Sequence, residues 1–305
     1  MTGYYYGAYE QINDNYYYTW PLGQSEHYLK KPEYNYWRPT NVLGFPDKEW
    51  NEHKDSNTTR ILALGDSFTE GDGASVDSSY PALLNKLMYA SNANVEVMNA
   101  GMCSSDPFYE YILLRDKLIQ YKPDIVLLAI GSDDITQDYS IRGGLERFDH
   151  ENQKVKYRQA PWWEPLYACS HLFRLYIQNI GYNESLINSK SGAYENTLSL
   201  KAHTELLSMY DSLLAINGSK MVLIFRPNKY EFIEGRYSYN WDKLKSATLK
   251  LENIGVIDLM PGYLQTIKNT QNSPSDYYWK IDGHLNALGY QLMAHCIWDS
   301  LQTNL

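Results

Sequence analysis

A serine that follows a buried strand is the first residue in this sequence that could do chemistry. Ser67 lies in Gly65-Asp66-Ser67, directly after the apolar run 61–64. Open α/β sheets bind their ligands at the carboxyl ends of the strands, and a tight turn there can hold a hydroxyl group clear of its own backbone. Gly, Asp and Ser are also ordinary turn residues. The stretch alone therefore fits either a strand-ending turn or a nucleophile.

A serine hydroxyl needs a base, and Asp282-Gly283-His284 is the best candidate for one. Histidine is the usual base near neutral pH, and its ring needs a carboxylate or a carbonyl to fix its tautomer and stabilise its charged form. Asp282 and His284 precede a predicted helix, so one extended turn could present both side chains. The same pattern is typical of a capping turn, with Asp282 or Asn286 as the N-cap. Both interpretations stay open.

The stretches between Ser67 and His284 alternate between strand and helix patterns. Short apolar runs bounded by turn residues are typical of buried parallel strands, and stretches with apolar residues at helical spacing separate them. Such alternation favours one sheet of about five parallel strands with right-handed crossovers. In chain order, the predicted elements are strand 61–64, helix 80–89, strand 95–100, helix 107–120, strand 124–130, helix 197–215, strand 220–225, helix 242–251, strand 255–259 and helix 286–301.

The predicted fold class is therefore α/β, a three-layer α/β/α domain with a flavodoxin-like parallel sheet. Its first three strands run into Gly65, Gly101 and Gly131. Because the carboxyl ends of parallel strands meet at the same edge of a sheet, we expect these turns to converge there. Ser67 would then lie at an edge suited to a ligand.

Two stretches do not follow the alternating pattern. Residues 1–56 contain ten of the 29 tyrosines and several prolines, and we predict an irregular arm, with room for one short hairpin, that packs on a domain of residues 57–305. The alternative is that its aromatic rings line a carbohydrate groove, since tyrosine combines an apolar ring with a polar tip. Residues of about 135–195 are predicted to be an insertion over the sheet edge, where lids and specificity loops lie.

Composition excludes several kinds of partner. The 305 residues carry a net charge of −9 and no run of Lys or Arg, so we expect no nucleic-acid or anionic-membrane partner. No apolar run approaches the roughly 18 residues that a transmembrane helix needs, and the N-terminus has no intact signal peptide. Three cysteines, Cys103, Cys169 and Cys296, are far apart; this spacing argues against a disulfide framework and a structural zinc site.

Four ordered blocks resemble those of the SGNH/GDSL hydrolase superfamily. They are Gly65-Asp66-Ser67-Phe68-Thr69, Gly101, Gly131-Ser132-Asp133-Asp134 and Asp282-Gly283-His284. The resemblance covers about residues 41–300, and the extended first and last blocks are similar to a GDSFT-type bacterial branch. The arm and the insertion lie outside it.

The resemblance implies a role for each matching residue. Ser67 would be the nucleophile, His284 the general base and Asp282 the residue that orients it. The backbone N–H groups of Ser67 and Gly101 would donate to the oxyanion. The third donor in the family is an asparagine side chain, but Asp133 stands at that position.

Asp133 leaves three interpretations open. An ionised carboxylate would repel a developing oxyanion, and the loss of one donor costs about 3–4 kcal/mol of transition-state stabilisation. Asp133 could be held protonated and donate. It could point away, leaving the two backbone donors and another side chain such as Ser132. Finally, the site could be weakened or inactive.

The predicted function is that of a serine-dependent ester hydrolase that acts through an acyl-enzyme on small or carbohydrate-linked O-acyl esters, such as acetyl esters. No metal or organic cofactor is needed, and the ester substrate is the only partner predicted. An O-acyltransferase with the same triad, or a non-catalytic carbohydrate- or partner-binding protein, are the alternatives. The resemblance favours an extracytoplasmic location. Further expected substrate contacts are Asp66, Asp134, Trp162 and Trp163.

Overall fold

The computed structural model describes residues 17, 22–30, 32–91, 94–155, 166, 169–179 and 192–304. These residues belong to two compact units. The larger unit lies within 19–132 and 204–305, and the smaller one lies within 1–18 and 133–203. Trp162 and Trp163 fall outside the described residues, so their expected substrate contact stays a prediction.

Within the described ranges, the structure contains nine strands and ten α-helices. The strands are β1 (Ser25–Lys30), β2 (Tyr34–Pro39), β3 (Thr59–Gly65), β4 (Val95–Asn99), β5 (Ile125–Ile130), β6 (Phe148–Asp149), β7 (Lys154–Val155), β8 (Lys220–Phe225) and β9 (Ile254–Asp258). The helices are α1 (Ser67–Glu70), α2 (Tyr80–Ala90), α3 (Pro107–Leu113), α4 (Tyr139–Arg142), α5 (His171–Asn179), α6 (Gly192–Asn217), α7 (Lys229–Glu234), α8 (Asp242–Thr248), α9 (Leu259–Asn269) and α10 (Ala287–Asn304). None of the described helices is both long and apolar enough to cross a bilayer.

Five parallel strands form the central sheet of the larger unit, in the order β4-β3-β5-β8-β9. This is the flavodoxin-like order, and the predicted α/β fold with a five-stranded parallel sheet is confirmed. All six residues of β5 are buried, because a central parallel strand is covered by helices on both faces. Alternate residues therefore enter different cores, and Ala63, Leu127 and Ala129 belong to the core that also contains residues of α2 and α10.

The boundaries of the helices differ from the predictions in instructive places. The predicted helix 107–120 is α-helical only over Pro107–Leu113, after which a π-helical turn and a 3-10 turn continue to Tyr121. The sequence prediction missed α7 and α9. Asn228 and Glu231 form a capping box at α7, a local signal that marks a helix start. In α9, Pro261 and Gly262 suggest a turn, but proline is tolerated in a first helical turn.

The N-terminal arm contains a regular antiparallel hairpin, formed by β1 and β2 and called here the N-terminal hairpin (residues 25–39). Its second strand alternates strictly, as a strand with one covered face must. Tyr34, Tyr36 and Arg38 are partly or fully buried, whereas the residues between them are exposed. The sequence analysis left room for one short hairpin in the arm, and β1 and β2 form one.

The second segment of the smaller unit, residues 133–203, begins directly after the turn that follows β5. Its described residues include α4, the short β6–β7 pair, α5 and the first part of α6. Ser199 in α6 donates to the carbonyl of Ile135, and His203 lies one helical turn further along. The hydrogen bond from Ser199 joins the start of this segment to α6, the helix in which the segment ends.

Candidate active site

Ser67 is the first residue of α1, at the carboxyl end of β3. Asp66 is the N-cap, and its Oδ1 accepts a hydrogen bond from the backbone N–H of Phe68 at 3.0 Å. Gly65 has φ 148°, and a Cβ there would lie 2.1 Å from Oγ1 of Thr69. Only glycine fits this turn. The strand therefore ends in a tight turn that delivers Ser67, which is 8% exposed, to the edge of the sheet.

His284 lies within hydrogen-bond distance of the serine. Its Nε2 is 2.8 Å from Oγ of Ser67, and its Nδ1 bonds to Oδ1 of Asp282. A carboxylate only accepts, so Nδ1 carries the proton and Nε2 presents a lone pair to the serine hydroxyl. The three predicted residues thus form a connected line from carboxylate to hydroxyl.

The Asp282–His284 turn owes its shape to Gly283. This glycine has φ 87°, in the left-handed region, with no atom close to where a Cβ would be. The sharp turn brings the side chains on either side of Gly283 together. Capping of the following helix falls to Asn286, whose Oδ1 accepts from the N–H groups of Leu288 and Gly289. Asp282 is therefore left to bind the imidazole, and the two alternatives of the sequence analysis are compatible.

The local charges favour an ion pair between the imidazole and the carboxylate. Burial lowers the pKa of His284, but its hydrogen bond to Asp282 and the negative charges of Asp72, Asp282 and Asp66 outweigh burial and raise it above the ordinary value. Burial raises the pKa of Asp282, but hydrogen bonds from His284 and Lys30 hold it well below its usual range. Asp282 is thus ionised at neutral pH and stabilises a proton on His284.

Gly101 lies close to α1, the helix that begins with Ser67. A Cβ at this position would lie 2.1 Å from the backbone nitrogen of Glu70. Only a glycine at position 101 therefore lets the chain after β4 come this close to α1. The N–H of Gly101 donates to Oδ1 of Asn99 at 3.0 Å. Sequence reasoning missed Asn99, although an asparagine two residues before a glycine is a local signal of an Asx-turn. The oxyanion roles of Gly101 and of the Ser67 N–H stay predictions.

Arg226 is a second residue that sequence reasoning missed. It follows β8 directly and is 1% exposed. Its guanidinium pairs with Oδ2 of Asp66 and lies over the ring of Phe68. Its place at the carboxyl end of a strand was the one available signal. Asp66, expected to contact substrate, uses both carboxylate oxygens within the protein, and a substrate contact remains a prediction.

The third family block spans the boundary between the two units. Ser132 is buried and ends the first segment of the larger unit, whereas Asp133 and Asp134 open the second segment of the smaller one. The expected roles of Asp133 as an oxyanion donor and of Asp134 as a substrate contact therefore remain predictions.

A family model and a curated relative both match this sequence. The model of the GDSL-like Lipase/Acylhydrolase family matches residues 63–292, a range that contains all four blocks. An arylesterase of Vibrio mimicus is 29% identical over 75 residues, which are 25% of this chain and 38% of that protein. The matched segment is thus well under half the length of that relative.

Several solved structures resemble the chain at low identity. A two-domain esterase active on acetylated mannans is 12% identical, over 81% of this chain and 49% of that one, with a TM-score of 0.48. An α/β hydrolase enzyme from the metagenome of Lake Arreo, Spain, is 15% identical, over 80% and 95%, with a TM-score of 0.49. An acetyl xylan esterase is 15% identical, over 79% and 99%, with a TM-score of 0.45.

Proposed function

The chain belongs to the GDSL-like lipase/acylhydrolase family, and from this membership we propose that it is a serine esterase with Ser67, His284 and Asp282 as its catalytic triad. The observation that carries the proposal is the 2.8 Å contact between Oγ of Ser67 and Nε2 of His284. The bond from Nδ1 of His284 to Asp282 supports it, because that bond fixes the tautomer able to take the serine proton.

The reaction proceeds in two halves. Oγ of Ser67 attacks the carbonyl carbon of the ester while Nε2 of His284 takes the hydroxyl proton, giving a tetrahedral oxyanion. The oxyanion collapses, the C–O bond to the alcohol breaks, and the departing oxygen receives the proton from His284. A water molecule then attacks the acyl-enzyme with His284 again as base, and Ser67 recovers its proton as the carboxylic acid leaves.

The backbone N–H groups of Ser67 and Gly101 are the proposed oxyanion donors. Their assignment is supported by position, because Ser67 opens a helix and Gly101 lies directly against it. The N–H of Gly101 must turn from, or be shared with, Oδ1 of Asn99 when the oxyanion forms. Each such donor contributes roughly 3–4 kcal/mol to transition-state stabilisation.

The proposed substrates are small or carbohydrate-linked O-acyl esters, with acetyl as the acyl group. The aromatic residues of the N-terminal hairpin support a sugar as the alcohol. Trp37 is 63% exposed and stacks on His27 at 4.8 Å between ring centres. An exposed indole next to a second ring suits the apolar face of a sugar, since it joins a large apolar surface to a polar edge. Trp37 lies on the face of β2 opposite to Tyr34 and Tyr36, so this stack would hold a sugar unit away from the reacting ester.

Turnover of p-nitrophenyl acetate by the wild-type protein and by Ser67→Ala tests the mechanism. We expect Ser67→Ala to lose roughly a thousandfold or more of the rate, whereas Ser75→Ala, at an exposed serine, keeps it. A reactive phosphonate should label the wild-type protein once, on the peptide that contains Ser67. An inactive wild type across pH 5 to 9, or an equally active Ser67→Ala, would refute the triad.

Two further assays refine the assignment. Release of acetic acid from an acetylated oligosaccharide, in the presence of a free acceptor sugar, identifies a hydrolase; acetylated acceptor identifies a transferase. Asp133→Asn tests the third block. A gain in rate would indicate an oxyanion site weakened by a carboxylate, and a loss would indicate a protonated Asp133 that donates.

A further inference from the structure

The turn of the N-terminal hairpin holds the residue that orients the base. Nζ of Lys30 forms an ion pair with Oδ2 of Asp282, and the hydroxyl of Tyr34 donates to the same oxygen at 3.1 Å. The carboxylate of Glu33 accepts from the backbone N–H groups of Ile281, at 2.5 Å, and Asp282, at 2.8 Å. The hairpin thus contacts both the backbone and the side chain of Asp282, whose other oxygen binds His284.

The same hairpin also contacts the segment that carries the nucleophile. Arg38, which is 1% exposed, forms an ion pair with Glu70, the last residue of α1. The hydroxyl of Tyr36 accepts from the N–H of Gly73 at 3.0 Å and donates to Oδ1 of Asp72 at 3.3 Å. The inward face of one strand therefore joins the helix that begins with Ser67 to the loop that carries His284.

From these contacts we propose that Lys30, with Tyr34 and Glu33, positions Asp282 for the reaction, so that the N-terminal hairpin is part of the active site. The inference rests on the proposed function, since positioning matters only if Asp282 orients a working base. These three are positioning residues, because they act through Asp282 and not on the substrate.

A carboxylate as enclosed as Asp282 needs partners for both oxygens. Its side chain is 8% exposed, and an ionised carboxylate removed from water is costly unless it is paired and hydrogen-bonded. His284 satisfies Oδ1, and Lys30 and Tyr34 satisfy Oδ2. Burial and the charges of Asp72 and Asp282 raise the pKa of Tyr34 well above its ordinary value, so its hydroxyl remains a donor at any working pH.

Lys30 also belongs to a balance of charges around His284. Several carboxylates face this part of the molecule, and each has a cation beside it, which limits how tightly the imidazole holds its proton. The pairs are Asp282 with Lys30, Glu70 and Asp72 with Arg38, and Asp66 with Arg226. Glu33, Tyr34 and Tyr36 are the other titratable groups that the hairpin contributes here.

Lys30→Met should therefore change the reaction in two ways. Without the ion pair Asp282 loses its fixed orientation, and we expect kcat to fall roughly tenfold or more with little change in KM. Without the positive charge the imidazolium form is favoured, and we expect the acid limb of the kcat/KM profile to move up by roughly 0.5 to 1 pH unit. Lys30→Arg, which keeps the charge and the donors, should retain most of the activity.

The chain offers a matched control in Lys54. Its ammonium pairs with Asp124, which precedes β5 at the opposite edge of the sheet from Ser67. Lys54→Met should lower stability about as much as Lys30→Met and leave both kcat and the pH profile unchanged. Tyr34→Phe, which removes only one hydroxyl, gives a milder second variant, and thermal unfolding of every variant confirms that it is folded.

Nuclear magnetic resonance of His284 gives a readout that does not need turnover. We expect a downfield Nδ1 proton in the wild type, lost or shifted upfield in Lys30→Met, and a higher imidazole pKa in that variant. If both signals are unchanged in folded Lys30→Met and Tyr34→Phe, or if Lys54→Met changes them equally, the proposal is wrong. A protein inactive on esters that still shows these shifts would refute the proposed function and leave the positioning intact.

Discussion

The guanidinium carbon of Arg226 lies 3.8 Å from the centre of the Phe68 ring. On the same side chain, Nη2 pairs with Asp66, the residue before Ser67. The Phe68 ring centre is in turn 5.1 Å from that of His284. One buried cation thus contacts both the N-cap residue of α1 and the ring that packs against His284.

Replacing Arg226 by methionine should destabilise the fold and impair the reaction. The change leaves Asp66 without its buried cation, and breaking one partner of such a pair costs about 3–5 kcal/mol. We expect a loss of stability near the lower end of this range, because the side chain of Asp66 is 12% exposed. Urea unfolding measures the change. Arg236→Met, at an exposed pair with Glu234, should leave stability unchanged, and similar losses in both variants would contradict this role.

The pH dependence of activity should follow His284. Only the neutral imidazole can take the serine proton, and its pKa is raised above the ordinary value of histidine. We therefore expect kcat/KM to fall on the acid side at a pH higher than an ordinary histidine would give, and to be constant above it. Initial rates on p-nitrophenyl acetate from pH 5 to 9 measure the limb. An acid limb below histidine's usual range would contradict the assignment.

The folding stability should also depend on the protonation of His284. Activity should rise with pH, whereas the contribution of His284 to stability should fall. His284 holds its proton more tightly in the folded state. Its contribution to the free energy of unfolding is therefore complete below its unfolded pKa and is lost as the pH rises through its raised, folded-state pKa. In His284→Gln this contribution disappears, and the variant should approach the wild type in stability as the pH rises from 6 to 9. Urea unfolding across that pH range tests this trend. A constant difference in stability between the wild type and His284→Gln would contradict it.

Alanine substitutions at two glycines distinguish the effect of backbone strain on stability from its effect on catalysis. Gly283 and Gly218 both have positive φ, 87° and 66°, and both have open space where a Cβ would lie. Alanine at either position should cost about 1–2 kcal/mol of stability. Only Gly283→Ala should lower kcat, since only that turn sets the angle between Asp282 and His284. Equal activity of the two variants would show that the turn tolerates alanine without loss of geometry.

Glu110 should make the protein less stable as the pH rises. Burial raises its pKa well above the ordinary value, and the nearby Asp106 and Asp66 add to that effect. Ser105 donates to its Oε1 at 2.6 Å. Between the unfolded and the raised folded pKa, each pH unit costs up to about 1.4 kcal/mol. Glu110→Gln removes that slope, so its stability relative to the wild type should increase from pH 5 to pH 8; parallel unfolding curves would exclude the effect.

Local patterns in the sequence were sufficient for the central sheet. The apolar run 124–130 and the glycine after it predict β5 closely, because a strand buried on both faces has no polar position. Asp282 and His284 were found for a similar reason, since they stand two residues apart. The capping box at Asn228 was a local signal too, and it predicts α7 once it is recognised.

Contacts between distant parts of the chain could not be predicted in this way. Asp66 and Arg226 are 160 positions apart, and Lys30 and Asp282 are 252 apart. Nothing near Lys30 in the sequence indicates a carboxylate partner, because its partner is chosen by how the N-terminal hairpin packs on the folded sheet.

The 252 positions between Lys30 and Asp282 have a consequence during synthesis on the ribosome. The hairpin and the nucleophile helix emerge early, and Arg38 can meet Glu70 while most of the chain is still unmade. The base and its carboxylate are added only after the strands that form the other half of the sheet. A nascent chain stalled before residue 282 therefore contains the proposed nucleophile but neither the proposed base nor its carboxylate, and we expect it to have no esterase activity.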